Sequence, residues 1–227
     1  MSNQGYALFR NAGDGTFSYE TRASNLGRIT LLSSGWGVRF LDFDDDGWKD
    51  LFVAQGHVLD TIEMTSPHLR YREAPLLARN EGGRFRDVSA EAGEPFRASR
   101  VARGVAVGDL DDDGDLDVVV STLDDRARVL RNEGGAGHWL ELRLEGRRSN
   151  RDGIGAEVRL VTGSGTLRHA TARTAGSYLS SGDRRVHFGL GAETQVRSVE
   201  IRWPSGIVQT LSDVRADRIV TVVEAER

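Results

Sequence analysis

Two stretches of the chain concentrate carboxylates at a spacing suited to a hard cation. Asp42-Phe43-Asp44-Asp45-Asp46-Gly47-Trp48-Lys49-Asp50 and, 67 residues later, Asp109-Leu110-Asp111-Asp112-Asp113-Gly114-Asp115-Leu116-Asp117 both read D-x-D-x-D-G-x-x-D. Aspartates at positions 1, 3 and 5 of a tight loop can turn their carboxylates inward, glycine at position 6 permits the sharp turn, and position 7 offers its backbone carbonyl. The pattern opens like an EF-hand but lacks the Glu at position 12 and runs into an apolar strand, so the Asp at position 9 closes the ligand shell. The expected ligands are the side chains of Asp42, Asp44, Asp46 and Asp50 with the carbonyl of Trp48, and those of Asp109, Asp111, Asp113 and Asp117 with the carbonyl of Asp115. Carboxylates this close repel by up to about 4 kcal/mol per pair at an effective dielectric of about 20, a cost that a divalent cation removes. All-oxygen ligation of this number favours Ca2+ over zinc or copper, and over magnesium, which keeps several waters. An ion-free solvated turn is the alternative for a single loop, and repetition at one place in a repeat argues against it. Asp45, Asp112 and the side chain of Asp115 fall off the ligand phase and are expected to face solvent.

The elements that carry these loops repeat as well. Leu8-Phe9-Arg10-Asn11-Ala12-Gly13-Asp14-Gly15-Thr16-Phe17 and Leu77-Ala78-Arg79-Asn80-Glu81-Gly82-Gly83-Arg84-Phe85 each run from a strand through an Asn/Gly turn into another strand, and Leu130-Arg131-Asn132-Glu133-Gly134-Gly135 starts a third. Hairpin, acidic loop, hairpin, acidic loop and hairpin start make an array in which each unit buries its face against the next. The expectation is an all-β fold with residues 1–136 forming about two blades of a β-propeller. A propeller needs roughly 4 to 8 blades, so the ring cannot close within this chain. The missing blades are expected from upstream sequence, with this chain the C-terminal piece of a longer protein, or from other chains.

Composition narrows the function classes. The 227 residues include no cysteine, which excludes disulfide scaffolds, thiolate zinc sites and cysteine nucleophiles. No apolar run reaches the roughly 18 to 20 residues of a membrane-spanning helix, and Met1-Ser2-Asn3-Gln4-Gly5 has neither region of a secretion signal. Met1–Trp139 carries 16 basic and 23 acidic residues and Leu140–Arg227 carries 14 and 11, so an acidic half precedes a mildly basic one. The arginines of the second half alternate with Glu and Asp along strands, which gives no clustered nucleic-acid footprint.

From residue 137 to 227 the pattern changes to alternating strands around Trp139–Leu144, Ala156–Val161, Ser198–Trp203 and Arg218–Val223, the periodicity of a two-sheet sandwich. Four segments here carry a resemblance: Asn150-Arg151-Asp152-Gly153-Ile154-Gly155-Ala156, Gly176-Ser177-Tyr178-Leu179-Ser180-Ser181, His187-Phe188-Gly189-Leu190-Gly191 and Ile201-Arg202-Trp203-Pro204-Ser205-Gly206. The region resembles an ASPIC/UnbV domain, and the acidic repeats resemble FG-GAP/VCBS propeller repeats, an arrangement similar to bacterial relatives of cartilage acidic protein. The resemblance implies a calcium-bearing propeller followed by a transthyretin-like β-sandwich, in a protein that is extracellular, cell-surface or periplasmic. It supplies no catalytic residues. Gly153, Gly155, Gly176, Gly189 and Gly191 read as turn and close-packing positions, and Tyr178, Phe188 and Trp203 as core or interface aromatics.

Enzyme motifs are missing from the sequence: the five histidines have no paired metal spacing, and there is no G-x-S-x-G elbow, dinucleotide fingerprint or phosphate loop. The irregular stretch from Gln55 to Pro75, flanking His57 and His68, is long for a propeller connection and is a candidate binding loop. The expectation is a non-enzymatic, calcium-binding surface or secreted module for an unidentified protein or glycan partner. The alternative is a C-terminal accessory region of a secreted hydrolase or lyase whose catalytic domain lies upstream.

Overall fold

The structure, a computed structural model, describes residues 4–226. β1 (Phe9–Asn11) and β2 (Phe17–Tyr19) form an exposed hairpin. One helical turn, α1 (Leu26–Ile29), precedes an antiparallel sheet ordered β3 (Gly35–Leu41), β4 (Asp50–Gln55), β5 (Leu76–Glu81), β6 (Arg84–Asp87). A second helical turn, α2 (Ile62–Thr65), interrupts the β4–β5 connection. After a 3-10 turn at Glu94–Arg97, β7 (Ala102–Gly108), β8 (Asp117–Thr122) and β9 (Arg128–Leu130) make a three-stranded sheet.

The sequence repeats map onto these strands. Each acidic loop joins the first strand of a sheet to the second, with Leu41 opposite Asp50 and Gly108 opposite Asp117. The Leu77–Phe85 repeat is the β5–β6 hairpin, and its counterpart near the N-terminus is β1–β2. The hairpin therefore corresponds to the last two strands of a blade, β3 to β6 to a whole blade, and β7 to β9 to three strands of the next. Every residue of β4 is buried, which matches its continuous apolar run Leu51-Phe52-Val53-Ala54 between two neighbouring strands. The two sheets close on one core that includes Leu41, Phe52, Ala54, Val105, Val107 and Val118.

A separate core lies entirely within Leu140–Val222. Its strands are β10 (His138–Glu145), β11 (Glu157–Thr162), β12 (Leu167–Thr171), β13 (Ala175–Ser177), β14 (Ser180–Ser181), β15 (Val186–Gly191), β16 (Gln195–Arg202), β17 (Val208–Arg215) and β18 (Arg218–Val223). One sheet runs β15-β10-β18 and the other β12-β11-β16-β17. All pairs are antiparallel except β10 with β18, a parallel pairing that alternation alone does not reveal. β11 shows the half-buried pattern, with Val158, Leu160 and Thr162 inside and Glu157 and Arg159 outside. Trp203, 1% exposed, fills the centre and donates its indole N–H to Gln209 Oε1 at 3.2 Å.

Two of the motif segments of the sandwich converge on one carboxylate. Glu224, just beyond β18, is 1% exposed. Its Oε2 accepts the backbone N–H groups of Arg147, Arg148 and Ser149, each at 2.8 Å. Its Oε1 accepts the hydroxyls of Ser149 and Ser205. Asn150 ties the same turn down by exchanging hydrogen bonds with Ile154, so the Asn150–Ala156 and Trp203–Gly206 segments and the last strand are fastened at one point.

The hairpin β13–β14 leaves the sandwich and lies along β3 and β7. Val38 N–H donates to Ser177 Oγ at 3.1 Å, Asp183 N–H donates to the Val107 carbonyl at 3.0 Å, and Tyr178 meets Trp36 edge-on with ring centroids 5.2 Å apart. Tyr178 is thus an interface aromatic, whereas Phe188 and Trp203 are core.

Candidate metal centres

The two acidic loops are superposable in chemistry, residue by residue. At position 1, Asp42 Oδ2 and Asp109 Oδ2 each accept the N–H of the position-6 glycine at 3.0 Å. At position 9, Asp50 Oδ2 accepts Phe43 N–H at 3.1 Å and Asp117 Oδ2 accepts Leu110 N–H at 3.0 Å. The other oxygen of each is held from the third strand of its blade or just past it, by Asn80 N–H at 2.7 Å and by Asn132 N–H at 2.8 Å. Gly47 and Gly114 sit at φ 89° and 99°, left-handed geometry that an L side chain rarely adopts. Two different sequences settling into one hydrogen-bond pattern means that the pattern is set by the spacing of Asp and Gly.

Positions 1, 3 and 9 come together in both loops. Asp42, Asp44 and Asp50 place one carboxylate oxygen each within 4.8 Å of one another, as do Asp109, Asp111 and Asp117. Position 5 does not join them. Asp46 and Asp113 cap the position-7 N–H groups at 2.8 and 3.0 Å and face Arg79 and Arg131. Those arginines also reach position 3, with Arg79 2.8 Å from Asp44 and Arg131 2.8 Å from Asp111. Trp48 and Asp115 follow the left-handed glycines at the approach to β4 and β8, with the Trp48 ring half exposed.

The residues present fit a metal ion. In the first loop the Asp42 and Asp44 Oδ1 atoms are buried and accept no hydrogen bond, which leaves lone pairs aimed at a space with no donor. Burial, reinforced by neighbouring aspartates, pushes the Asp42 carboxyl up to about 7, and burial does the same to Asp50. Asp44 and Asp109 are raised for the same first cause. Buried acidic clusters of this kind can bind a metal ion, and a cation at each would supply the charge that the fold withholds.

The off-phase aspartates correct the sequence reading. Asp45 is 1% exposed, not solvated: at φ 57° it turns away from the cluster into the sandwich, where its Oδ1 lies 3.2 Å from His187 Nε2. Asp112 keeps an exposed side chain but pairs with Arg185 at 2.7 Å, and Asp115 is half-buried with its carboxyl pushed up to about 6 by burial. Both loops are covered by β10 and β15. His187 Nε2 also lies 3.0 Å from the Gly114 carbonyl, so one imidazole touches both loops. Gly189 packs on the Asp42 carboxylate where any Cβ would collide, and Gly191 N–H donates to the Asp45 carbonyl at 2.7 Å. Arg185 reaches the Asp109 carbonyl, Asp112, Asp183 at 2.6 Å and Glu141 at 2.9 Å. The His187–Gly191 motif, read from sequence as turn and packing residues, is the surface on which the acidic loops rest.

The Gln55–Pro75 stretch folds on itself. His57 is buried, with its Nδ1 accepting Leu59 N–H at 3.0 Å, and Glu63 accepts Tyr71 N–H at 2.9 Å. His68 is exposed on the far side of α2 in sequence. Arg103 pins the start of the stretch by donating to the Gly56 and His57 carbonyls, each at 3.1 Å, while its guanidinium lies 4.2 Å from the Trp36 ring centroid.

Blades with paired acidic loops, capped by a β-sandwich, define a propeller-repeat chain with a docked C-terminal domain. Comparison with known proteins gives that class its families: residues 1–53 match the FG-GAP-like repeat family and residues 146–227 match the ASPIC and UnbV family. The chain carries both, as the sequence resemblance implied. The second acidic loop lies outside either match and is joined to the first by the internal repeat and the shared geometry. Cartilage acidic protein 1 from Xenopus tropicalis is 26% identical across 90% of this chain and 39% of the relative. The human protein is 26% identical across 88% and 37%, and the mouse protein 30% identical across 96% and 40%. The chain spans about 40% of the length of these relatives.

Proposed function

We propose that this chain is a calcium-binding, non-catalytic interaction module of an extracellular, cell-surface or periplasmic protein, with one Ca2+ in each acidic loop. The observation that carries the reading is the pair of equivalent three-aspartate clusters, one with two buried carboxylate oxygens left without donors. Asp42, Asp44 and Asp50, and Asp109, Asp111 and Asp117, are the side-chain ligands. The carbonyls of Trp48 and Asp115 complete the shell, and Asp46 and Asp113 join when the ion competes with Arg79 and Arg131. Sites of extracellular modules bind at about 10⁻⁴ to 10⁻³ M, which fits a calcium-rich location. The families matched are not known as catalytic, and the partner, a protein or a glycan, would be met by the assembled propeller face. The missing blades come from upstream sequence or other chains, and the two folding units are residues 1–136 and 137–227.

Calorimetric titration of chelator-treated protein with calcium tests this. Two sites of similar affinity are expected, and magnesium should bind more weakly. Absence of saturable calcium binding would sink the proposal.

A further inference from the structure

Beyond the acidic loops, the junction between blades and sandwich holds a half-open cavity of about 240 Å³ whose charge is of the opposite sign. Arg39 of β3, Lys49 at the end of the first acidic loop, and His169 and Arg173 on and just after β12 all line it. We propose that this cavity is a binding site for a tetrahedral oxyanion, sulfate or phosphate, either free or carried on a sugar.

The placement follows from the strand geometry. Residues two apart on an extended strand share a face, so His169, Thr171 and Arg173 present donors to one side, and both His169 and Thr171 line the cavity with Arg173. Arg39 enters from β3, its guanidinium packed over the Cα of Gly176, where a side chain would collide with it. Its one hydrogen bond among the described residues is a long one, 3.4 Å to the Ala175 carbonyl. Neither Arg39 nor Arg173 has a carboxylate ion-pair partner among the described residues, and the charged group that acts on Arg39 is Arg173 itself. Burial and that neighbour both hold the Arg39 guanidinium below its usual value.

The carboxylates of the same cavity do not neutralise the pair. Glu141 and Asp183 are committed to Arg185, at 2.9 and 2.6 Å. Arg39 is half-buried and Arg173 exposed, so an anion held by both would relieve the burial and like-charge penalty that falls on Arg39. A carboxylate has two oxygens and one guanidinium fork satisfies both. A tetrahedral oxyanion has enough oxygens to engage two forks from different walls together with the His169 and Thr171 donors. The volume lies below the ~300 Å³ at which pockets for drug-sized ligands begin, which suits an ion or one sugar ring.

Calorimetry of the full chain with sodium sulfate, against sodium chloride at matched ionic strength, tests the site. One saturable site is expected in the wild type, and Arg39→Met and Arg173→Met should each weaken it about tenfold or more. Arg173 is exposed, so Arg173→Met leaves the fold intact and is the deciding variant. Tighter binding of glucose 6-sulfate or glucose 6-phosphate than of inorganic sulfate assigns the site to a sugar-borne group, and equal affinity assigns it to the free ion. No saturable sulfate binding in the wild type, or undiminished binding in Arg173→Met, overturns the proposal.

Discussion

Replacing Glu224 should unfasten the sandwich, and the structure sets the scale. Its carboxylate accepts three backbone N–H groups at 2.8 Å and two hydroxyls. Glu224→Ala leaves those three donors inside a folded turn with no acceptor. Each buried unsatisfied donor costs about 1 to 3 kcal/mol, and allowing for partial access of water, the net loss is about 3 to 5 kcal/mol. For a chain of this size that is a drop of roughly 6 to 20 °C in Tm. Glu224→Gln keeps one acceptor oxygen for the backbone donors and turns an NH2 toward the two hydroxyls, which must then accept, so it loses charge assistance and about 1 to 2 kcal/mol is expected. The backbone donors and Ser205 hold the carboxyl down to about 2, against an ordinary value of 4.5. A depressed carboxyl contributes stability fully above its unfolded value and loses it as pH falls through the folded one. The wild-type advantage over Glu224→Gln should therefore be complete at pH 7 and shrink between about 4.5 and 2. Urea melts of both proteins at pH 7 and pH 3 measure it, and the comparison cancels the protonation of every other group. An advantage below 0.5 kcal/mol at pH 7 (about the scatter of a neutral surface change), or one equal at both pH values, would refute the reasoning.

Four further outcomes are expected. Asp111→Ala should remove up to about 2.7 kcal/mol of calcium-dependent stability at ~100 times the dissociation constant, while leaving the melt in excess chelator nearly unchanged; equal loss in both would assign Asp111 to its ion pair with Arg131 alone. Gly189→Ala places a methyl against the Asp42 carboxylate and should cost about 1 to 3 kcal/mol, and calorimetry should show weaker calcium binding at the first site and not the second. Burial pushes Glu73 up to about 7, so its ionisation opposes folding increasingly as pH rises from about 4.5 to 7; Glu73→Gln should gain on the wild type across that window in urea melts at pH 5 and pH 8. Chelation should lower hydrogen-exchange protection of the β15 amides together with the loops, and unchanged β15 protection would show the sandwich indifferent to the ions.

The legible parts of this molecule are those fixed by local spacing. The D-x-D-x-D-G-x-x-D spacing brings positions 1, 3 and 9 together in both loops because a left-handed glycine and two backbone caps determine where those carboxylates turn. Position 5 escaped because its carboxylate is claimed by an arginine on or just past the third strand of the blade, a contact the loop's own sequence does not carry. Asp45 was misread for a related reason. Its burial depends on His187, from a strand far downstream, and no periodicity within either segment records that contact. The alternating strands of the second half revealed the sandwich but not the parallel pairing of β10 with β18, since alternation gives a strand's faces and not its neighbours.

What long-range packing adds is a coupling between the loops and the domain that covers them. An ion in the first loop would sit beside the Asp42 carboxylate, whose flank is closed by Gly189, in a loop whose Asp45 carbonyl is gripped by Gly191. The second loop is held through Arg185 and the Gly114 carbonyl. If the sandwich lifts away, Asp45 loses His187 and Asp112 loses Arg185, and the loops lose the wall that fixes their turns. The docked and undocked forms then differ in affinity for a cation, and a ligand that discriminates between two forms shifts their balance by that difference. The same contacts act in reverse: a docked sandwich preorganises the aspartates, so part of the repulsion among Asp42, Asp44 and Asp50 is offset by folding before any ion arrives. On the proposed calcium sites, loop occupancy and domain docking would be linked, with β15 the element through which each acts on the other.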